Sequence, residues 1–286
     1  MTSRMVLAGL LFCAACAASI TGGSKNPGRQ FVEVRGSRLF VERSGSGSPV
    51  LFLHGGLHHF DNSFEAQRDA FARSHTVIGI DQRGHGHSPD DARPFSFEEM
   101  AEDTAAVIQQ LGLGPVDVVG HSDGGNVALI LARKHPELVR RIAVSGASLR
   151  PALPLAELKV RLSWTDDQLA AFLPTLEKRL PPGFRKDHEA VTPDGAAHWN
   201  VLLAKSYRLW LTPVVIDAAG LAAIQAPVMV IAGDKDFSSI EETAEIYRGL
   251  RHAQLFIVPG AGHGTFADKA GLMNLAILQF LAATAP

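Results

Sequence analysis

Short runs of continuously apolar residues recur along the chain and alternate with stretches of helical periodicity. A continuous apolar run is typical of a strand buried on both faces, and such strands form parallel sheets that are covered by helices. Six runs have this pattern: residues 50–53, 76–80, 116–119, 142–144, 228–231 and 255–258. They predict an α/β fold with a mostly parallel sheet flanked by helices.

Two earlier stretches, residues 31–35 and 39–43, alternate apolar and polar positions around a glycine turn, which predicts an opening hairpin. Ser96 is followed three residues later by Glu99, and this capping box predicts the start of a helix. This helix is predicted to run to about Leu111. Two further helices are predicted over residues 240–250 and 267–283.

The interval between Ser145 and Pro227 breaks the alternation because it contains no convincing strand. Its amphipathic runs are separated by proline and glycine, which is typical of several short helices. We therefore predict a helical cap at about residues 149–224, inserted after the sixth strand. Such an insertion would cover the carboxyl ends of the strands, where ligands bind in parallel sheets.

The N-terminal segment has a different composition from the rest of the chain. Arg4 precedes an uncharged run over residues 5–20, which is typical of a secretory signal and short for a transmembrane helix. We expect a leader and flexible tether over residues 1–29, one domain over residues 30–286, and a secreted, periplasmic or cell-envelope location. A frayed cytosolic terminus is the alternative.

Both cysteines of the chain, Cys13 and Cys16, lie in this leader, so the rest of the chain has no disulfide framework and no cysteine-based metal site. Ala14-Ala15-Cys16 resembles the end of a bacterial lipoprotein signal, although Cys13 stands where that signal prefers leucine. A lipid on Cys16 would attach the protein to a membrane, whereas plain cleavage near residues 17–19 would release it.

The whole chain of 286 residues has a net charge of −2 and 46% hydrophobic residues, which is ordinary globular composition. No run of Lys or Arg stands out, so the charge pattern gives no indication of nucleic-acid binding. The composition therefore leaves function to be read from local motifs.

Ser122 is the candidate nucleophile, since Gly120-His121-Ser122-Asp123-Gly124 forms a G-x-S-x-G motif between a predicted strand and a predicted helix. A serine on such a turn needs strained backbone angles and small neighbours, which glycine provides. A tight turn with a capping serine is the simpler interpretation of the same residues.

A serine nucleophile needs a base and an acid that orients the base, and both are expected after it in the chain. His263 follows the last predicted strand in a glycine-rich loop and is the candidate base. Asp236 follows the preceding strand and is the candidate acid, with Asp234 as the second choice.

Acyl transfer also requires backbone donors for an oxyanion. The amide of Asp123 is one candidate. The second is expected in the turn after residues 50–53, where Gly56 is preferred and Leu57 is the alternative. Leu57 and the Asp123 carboxylate are also candidates for contact with substrate. A purely structural glycine turn is the competing interpretation of this segment.

HGG, DQRGHGHS, GHSDGG, GDKD and GAGH together resemble the α/β-hydrolase superfamily in identity, order and spacing, over about residues 31–281. The resemblance implies a Ser122–His263–Asp236 triad with Gly56 and Asp123 amides as the oxyanion hole, and it implies no cofactor. It also implies that the DQRGHGHS segment, which contains Asp81, Arg83 and Ser88, is structural.

Serine at position 122, rather than aspartate, disfavours the epoxide hydrolase and haloalkane dehalogenase relatives. Leu57 stands where proline iminopeptidase relatives carry a proline. The Ser-Asp-Gly-Gly elbow is similar to that of valacyclovir hydrolase-like enzymes, in which the acid helps hold a substrate amino group. Asp123 either does so here or contributes only its amide, in an enzyme for neutral esters or lactones.

Two other groups of side chains suggest sites. His58-His59 and His85-x-His87 could suggest a metal, but the further ligands that a site needs are not evident, and we expect none. Four aromatic residues of the cap line either an acyl pocket or the cap's own core: Trp164, Phe172, Trp199 and Trp210.

The sequence thus predicts a serine hydrolase of the carboxylesterase type acting on a small-molecule ester through an acyl-enzyme. Lactone, amide or aminoacyl-ester, or C–C bond hydrolysis on the same triad is the alternative. A non-catalytic ligand receptor on the same fold is a further one, because fold does not determine function.

Overall fold

The computed structural model describes residues 28–151, 153–212 and 216–283. They form an eight-stranded sheet with the order β1-β2-β4-β3-β5-β6-β7-β8. The strands are β1 (Gly28–Val34), β2 (Ser37–Gly45), β3 (Ser48–Leu53), β4 (His75–Ile80), β5 (Val116–His121), β6 (Val139–Ser145), β7 (Val228–Gly233) and β8 (Ala253–Val258). Only the β1–β2 and β2–β4 pairs are antiparallel, so the predicted hairpin and mostly parallel sheet are confirmed.

Helices cover both faces of the sheet and its carboxyl end. They are α1 (Phe60–Ser63), α2 (Glu65–Phe71), α3 (Phe97–Gln110), α4 (Asp123–Lys134), α5 (Leu155–Leu162), α6 (Asp166–Glu177), α7 (Phe184–Val191), α8 (His198–Trp210), α9 (Ala218–Ala223), α10 (Ile240–Gly249), α11 (Thr265–Asp268) and α12 (Ala270–Ala282). None of these helices is long and apolar enough to cross a membrane.

The strands are apolar throughout because each one contributes to two cores. Leu51 and Leu53 of β3 pack with α3, α4 and the cap, while Val50 and Phe52 pack on the opposite face with α2 and α12. Successive side chains of a strand point to opposite faces, so burial on both faces requires a continuous apolar run.

The first strand begins earlier than predicted. We expected a tether through residue 29, but Gly28 and Arg29 pair with Arg43 and Glu42 of β2. Arg29 Nε also donates to Glu42 Oε2 at 2.6 Å. Pairing of the backbone, rather than hydrophobicity, brings these polar residues into the sheet. The leader and the candidate lipid site at Cys16 lie outside the described residues.

The final helix is also shorter than predicted. The predicted range of 267–283 is divided between α11 and α12, because Lys269 has φ −135° and ψ 41°. These angles lie outside the helical region, so the chain changes direction there. The break separates the short helix beside His263 from the long helix that packs on the sheet.

The cap consists of α5 to α9 and follows β6, the sixth strand, as predicted. Its connection to the sheet includes buried charges. Asp90, in the loop between β4 and α3, accepts hydrogen bonds from Lys205 Nζ at 2.7 Å and from Arg83 Nη1 at 3.2 Å. His198 Nε2 lies 3.1 Å from the same carboxylate. Both His198 and Lys205 belong to α8, so Asp90 joins the cap to the loop beneath it.

Candidate active site

Ser122 lies at a sharp turn between β5 and α4, with φ 53° and ψ −119°. The glycines on either side explain how the turn packs. A Cβ added to Gly124 would lie 2.0 Å from the carbonyl oxygen of Leu53, and one added to Gly120 would lie 2.5 Å from the carbonyl oxygen of Gly124. Any side chain at these positions would clash with backbone, so only glycine fits the turn.

The three predicted triad side chains meet in one hydrogen-bonded row. His263 Nε2 lies 2.9 Å from Ser122 Oγ, and His263 Nδ1 lies 2.9 Å from Asp236 Oδ1. With a proton on Nδ1 donated to the carboxylate, Nε2 is free to accept the serine proton. This is the arrangement that a serine needs to become a nucleophile.

Asp236 and Asp234 have different surroundings, and only Asp236 contacts the histidine. The Asp236 side chain is shielded from solvent, and its Oδ1 also accepts from the Ser238 amide at 3.0 Å. Burial acts to raise the pKa of Asp236, but the hydrogen bond and charge of His263 outweigh it and hold the pKa below its ordinary value. Asp234 is exposed and accepts from the Gly260 amide at 2.7 Å, which is a turn-capping contact.

Two neighbours that the sequence did not single out hold the His263 loop and ring. His121 Nε2 lies 2.9 Å from the His263 carbonyl oxygen. Burial lowers the pKa of His121 to about 3, so its neutral ring donates from Nε2 to this carbonyl. The ring of Phe237 lies against that of His263, with centroids 4.1 Å apart. No motif marks either contact, since each depends on the path of a distant loop.

The predicted oxyanion donors come from two segments that touch each other. A Cβ added to Gly56 would lie 2.4 Å from Asp123 Oδ2, so the β3 turn passes directly beside the elbow. The amides of Gly56, Leu57 and Asp123 donate no hydrogen bond to any residue that the structure describes. Leu57 has φ 63°, a conformation that is uncommon for residues other than glycine. These amides remain available for a ligand oxygen.

The Asp123 carboxylate accepts a hydrogen bond from Trp210 Nε1 of the cap at 2.9 Å. Burial raises the pKa of Asp123 to about 6, although the Trp210 hydrogen bond and the charge of His263 act in the opposite direction. Within the described parts of the chain, no cationic side chain forms a salt bridge with it. A carboxylate beside the candidate nucleophile is therefore held by a neutral donor.

Of the four aromatic cap residues, only Trp210 reaches this site. Trp199 is 1% exposed in the core, and Trp164 and Phe172 pack against each other with ring centroids 5.2 Å apart. The Arg161 guanidinium lies 4.2 Å from the Trp164 ring centre and 4.4 Å from that of Phe172. These three side chains thus belong to the interior of the cap, which is one of the two alternatives that the sequence left open.

Asp81 stabilises the loop beside the site, as the resemblance implied. Its carboxylate accepts from the amides of Phe60 and His87, and its Oδ2 lies 2.9 Å from His87 Nδ1. That contact raises the pKa of His87. His59, Asp81 and His87 also have ligand atoms within 4.8 Å of one another. The structure thus supplies a third candidate metal ligand, Asp81, which the sequence pattern of histidines did not indicate.

Comparison with known proteins agrees with the fold. A family model described as alpha/beta hydrolase fold matches residues 48–181. AB hydrolase superfamily protein YisY of Bacillus subtilis (strain 168) is 30% identical over 258 residues, covering 85% of this chain and 94% of that protein. The sn-1-specific diacylglycerol lipase ABHD11 of Mus musculus is 27% identical over 253 residues, covering 82% and 80%.

A solved structure, that of Est816, an N-acyl homoserine lactone degrading enzyme, has the same fold. Its TM-score is 0.68 at 24% identity, covering 88% of this chain and 100% of that chain. The similarity to YisY extends over most of both sequences, and the fold is the one that the family model describes. The chain therefore belongs to the α/β-hydrolase superfamily.

Proposed function

We propose that this hydrolase cleaves carboxylic esters of small molecules through an acyl-enzyme on Ser122. The observation that carries the proposal is the hydrogen-bonded row in which His263 lies 2.9 Å from both Ser122 Oγ and Asp236 Oδ1. The similar mouse protein is a diacylglycerol lipase, and a lipase acts on carboxylic esters.

In the proposed reaction, Ser122 Oγ attacks the ester carbonyl carbon while His263 Nε2 takes the hydroxyl proton. The amides of Gly56 and Asp123 stabilise the oxyanion, and the negative charge also faces the N-terminal end of α4. His263 then gives its proton to the departing alcohol. Water, activated by the same nitrogen, cleaves the acyl-enzyme and releases the acid. Asp236 orients the imidazole and stabilises its charged form.

A second candidate is hydrolysis of esters that carry an amino group on the acyl part. It is favoured by the Asp123 carboxylate, which is half-buried beside Ser122 and held only by Trp210 Nε1 among the described residues. An ammonium group would stabilise the charged carboxylate more than an indole does. Est816 degrades an N-acyl homoserine lactone, so lactones are the third class of substrate to be tested.

The test compares Ser122→Ala with a control that removes an exposed hydroxyl, Ser74→Ala. Ser122→Ala is expected to lower hydrolysis of p-nitrophenyl butyrate by on the order of 10⁴-fold or more, with unchanged thermal unfolding. A fluorophosphonate should label wild type and Ser74→Ala but not Ser122→Ala. Absence of label on the wild type would instead indicate a ligand receptor.

Acyl, aminoacyl and lactone substrates of matched size then distinguish the three reactions. Asp123→Asn should selectively lower kcat/KM for the aminoacyl ester if the carboxylate binds an amino group. An unchanged ratio of aminoacyl to plain ester would exclude that second candidate and leave the first intact.

A further inference from the structure

Phe237 is an exposed aromatic side chain placed directly on the candidate base. It follows Asp236 in the chain and is 70% exposed. One part of its ring lies against the His263 imidazole, with centroids 4.1 Å apart and planes inclined by 33°. Solvent reaches most of the ring, so Phe237 has apolar surface free for contact while it remains fixed beside His263.

The position of His263 Nε2 limits where a departing alcohol can lie. This nitrogen is 2.9 Å from Ser122 Oγ. In the proposed reaction it must also deliver a proton to the alcohol oxygen, which requires an approach of about 3 Å. The carbon attached to that oxygen is then adjacent to the imidazole, and a group that extends from it over the face covered by Phe237 reaches that ring.

The candidate oxyanion site has different neighbours from the base. The candidate oxyanion amides of Gly56 and Asp123 come from the β3 turn and the elbow, and Trp210 packs beside them. Phe237 comes from the loop after β7, with the candidate acid. The two aromatic side chains therefore belong to two separate parts of the site, one near the oxyanion donors and one near the base.

Resting on the proposed function, we propose that Phe237 forms the leaving-group subsite and selects esters of aromatic or extended apolar alcohols. An aromatic group stacked on the exposed face of Phe237 buries apolar surface on both rings. A small alcohol such as propanol covers little of the ring. This selectivity acts on the alcohol, which leaves when the acyl-enzyme forms. It does not affect the later hydrolysis step, in which only the acyl group remains on Ser122.

Benzyl acetate and propyl acetate test this subsite because both produce the same acetyl-enzyme. Any difference in kcat/KM between them arises before the alcohol departs. Phe237→Ala is expected to lower the benzyl-to-propyl ratio of kcat/KM by about three- to tenfold, the range for loss of one aromatic contact. Phe237→Trp should preserve the ratio. Leu275→Ala removes an exposed apolar side chain from α12, 57% exposed, and is the control with an unchanged ratio.

A positioning role for Phe237 gives a different result. If the ring only orients His263, Phe237→Ala slows both acetates equally and also slows breakdown of the acetyl-enzyme, measured with p-nitrophenyl acetate. That outcome, or an unchanged ratio, overturns the inference. A preference for acetylcholine over benzyl acetate and propyl acetate that is lost in Phe237→Ala would also overturn the inference, because it would indicate a cation site. If the wild type takes up fluorophosphonate on Ser122 and cleaves esters, the proposed function stands whichever ratio is found.

Discussion

Trp210 Nε1 donates a 2.9 Å hydrogen bond to Asp123 Oδ2, and this contact joins the last residue of α8 to the residue after the candidate nucleophile. The two residues are 87 positions apart in the chain. Asp123 thus has two connections in the structure: its amide lies at the start of α4, and its carboxylate holds the cap. Any amino-group ligand of Asp123 would share the carboxylate with Trp210.

Asp123 should make the stability of the protein depend on pH. Burial raises its pKa to about 6, above its ordinary value, so the folded state holds a proton that the unfolded chain has lost. Stability therefore decreases as pH rises from about 4 to about 6 and levels off above that. In Asp123→Asn this decrease is absent, so the stability of the variant relative to wild type should rise by on the order of 3 kcal/mol between pH 4 and pH 7.

Urea unfolding of both proteins at pH 4.5, 5.5 and 7 measures this difference. The comparison cancels the titration of the other carboxylates. A constant difference between wild type and variant at all three pH values would show that Asp123 titrates normally.

The two aspartates of the GDKD segment should differ in activity. Asp236→Asn removes the charge that orients His263 Nδ1, and kcat is expected to fall by about 10⁴-fold. Asp234→Asn keeps an acceptor for the Gly260 amide and does not touch the triad, so kcat should stay within about twofold. Initial rates with p-nitrophenyl butyrate provide the measurement. Equal losses would refute the assignment of the acid.

Gly146 should be required for the placement of His263. It has φ 66°, and an added Cβ would lie 2.7 Å from His263 Cε1. Gly112 has φ 60° with no atom within 4 Å of an added Cβ, so it is the matched control. Both alanine variants should lose about 1 kcal/mol of stability, because alanine is strained in the left-handed backbone conformation that each glycine adopts. Only Gly146→Ala moves the imidazole, and it should lower kcat/KM by about 100-fold.

Thermal unfolding and ester hydrolysis, measured on both glycine variants, separate the two effects. Comparable loss of activity in Gly112→Ala would mean that backbone strain, rather than contact with His263, is responsible.

Asp90 should stabilise the docking of the cap. Its side chain is 7% exposed and contacts Arg83, His198 and Lys205. Burial acts to raise the pKa of Asp90, but its hydrogen bonds with His198 and Lys205 outweigh it and lower the pKa. Its contribution is therefore present above about pH 4 and is lost as the carboxylate protonates in acid. Asp90→Asn removes the carboxylate partner of Lys205, whereas Arg83 keeps its pair with Asp91, and the change should cost about 3 kcal/mol at pH 7.

The control for this charge is Glu245→Gln, which breaks the exposed pair with Arg150 and should leave the free energy of unfolding almost unchanged, because solvent screens such a pair. Guanidinium unfolding at pH 7 compares the two variants. Similar small effects for both would mean that the cap docks through its apolar contacts alone.

The sequence by itself determined the sheet, the position of the cap and the location of the candidate nucleophile and base. Continuous apolar runs are required of strands buried on both faces, and glycine is required where a Cβ would meet the backbone of the same turn, as at Gly120. These requirements act within a few residues, so they are visible in the local pattern. The same holds for Ser96, whose hydroxyl accepts from the Glu99 amide at the start of α3.

Tertiary structure decided the contacts between segments that are distant in the chain. Asp234 and Asp236 differ by two positions, and only the path of the β8–α11 loop brings His263 to the second one. The pairing of Trp210 with Asp123 and of Phe237 with His263 arises in the same way. Local propensity carries no information about which distant loop will fold back to a given side chain, because that depends on how the whole core and cap pack together.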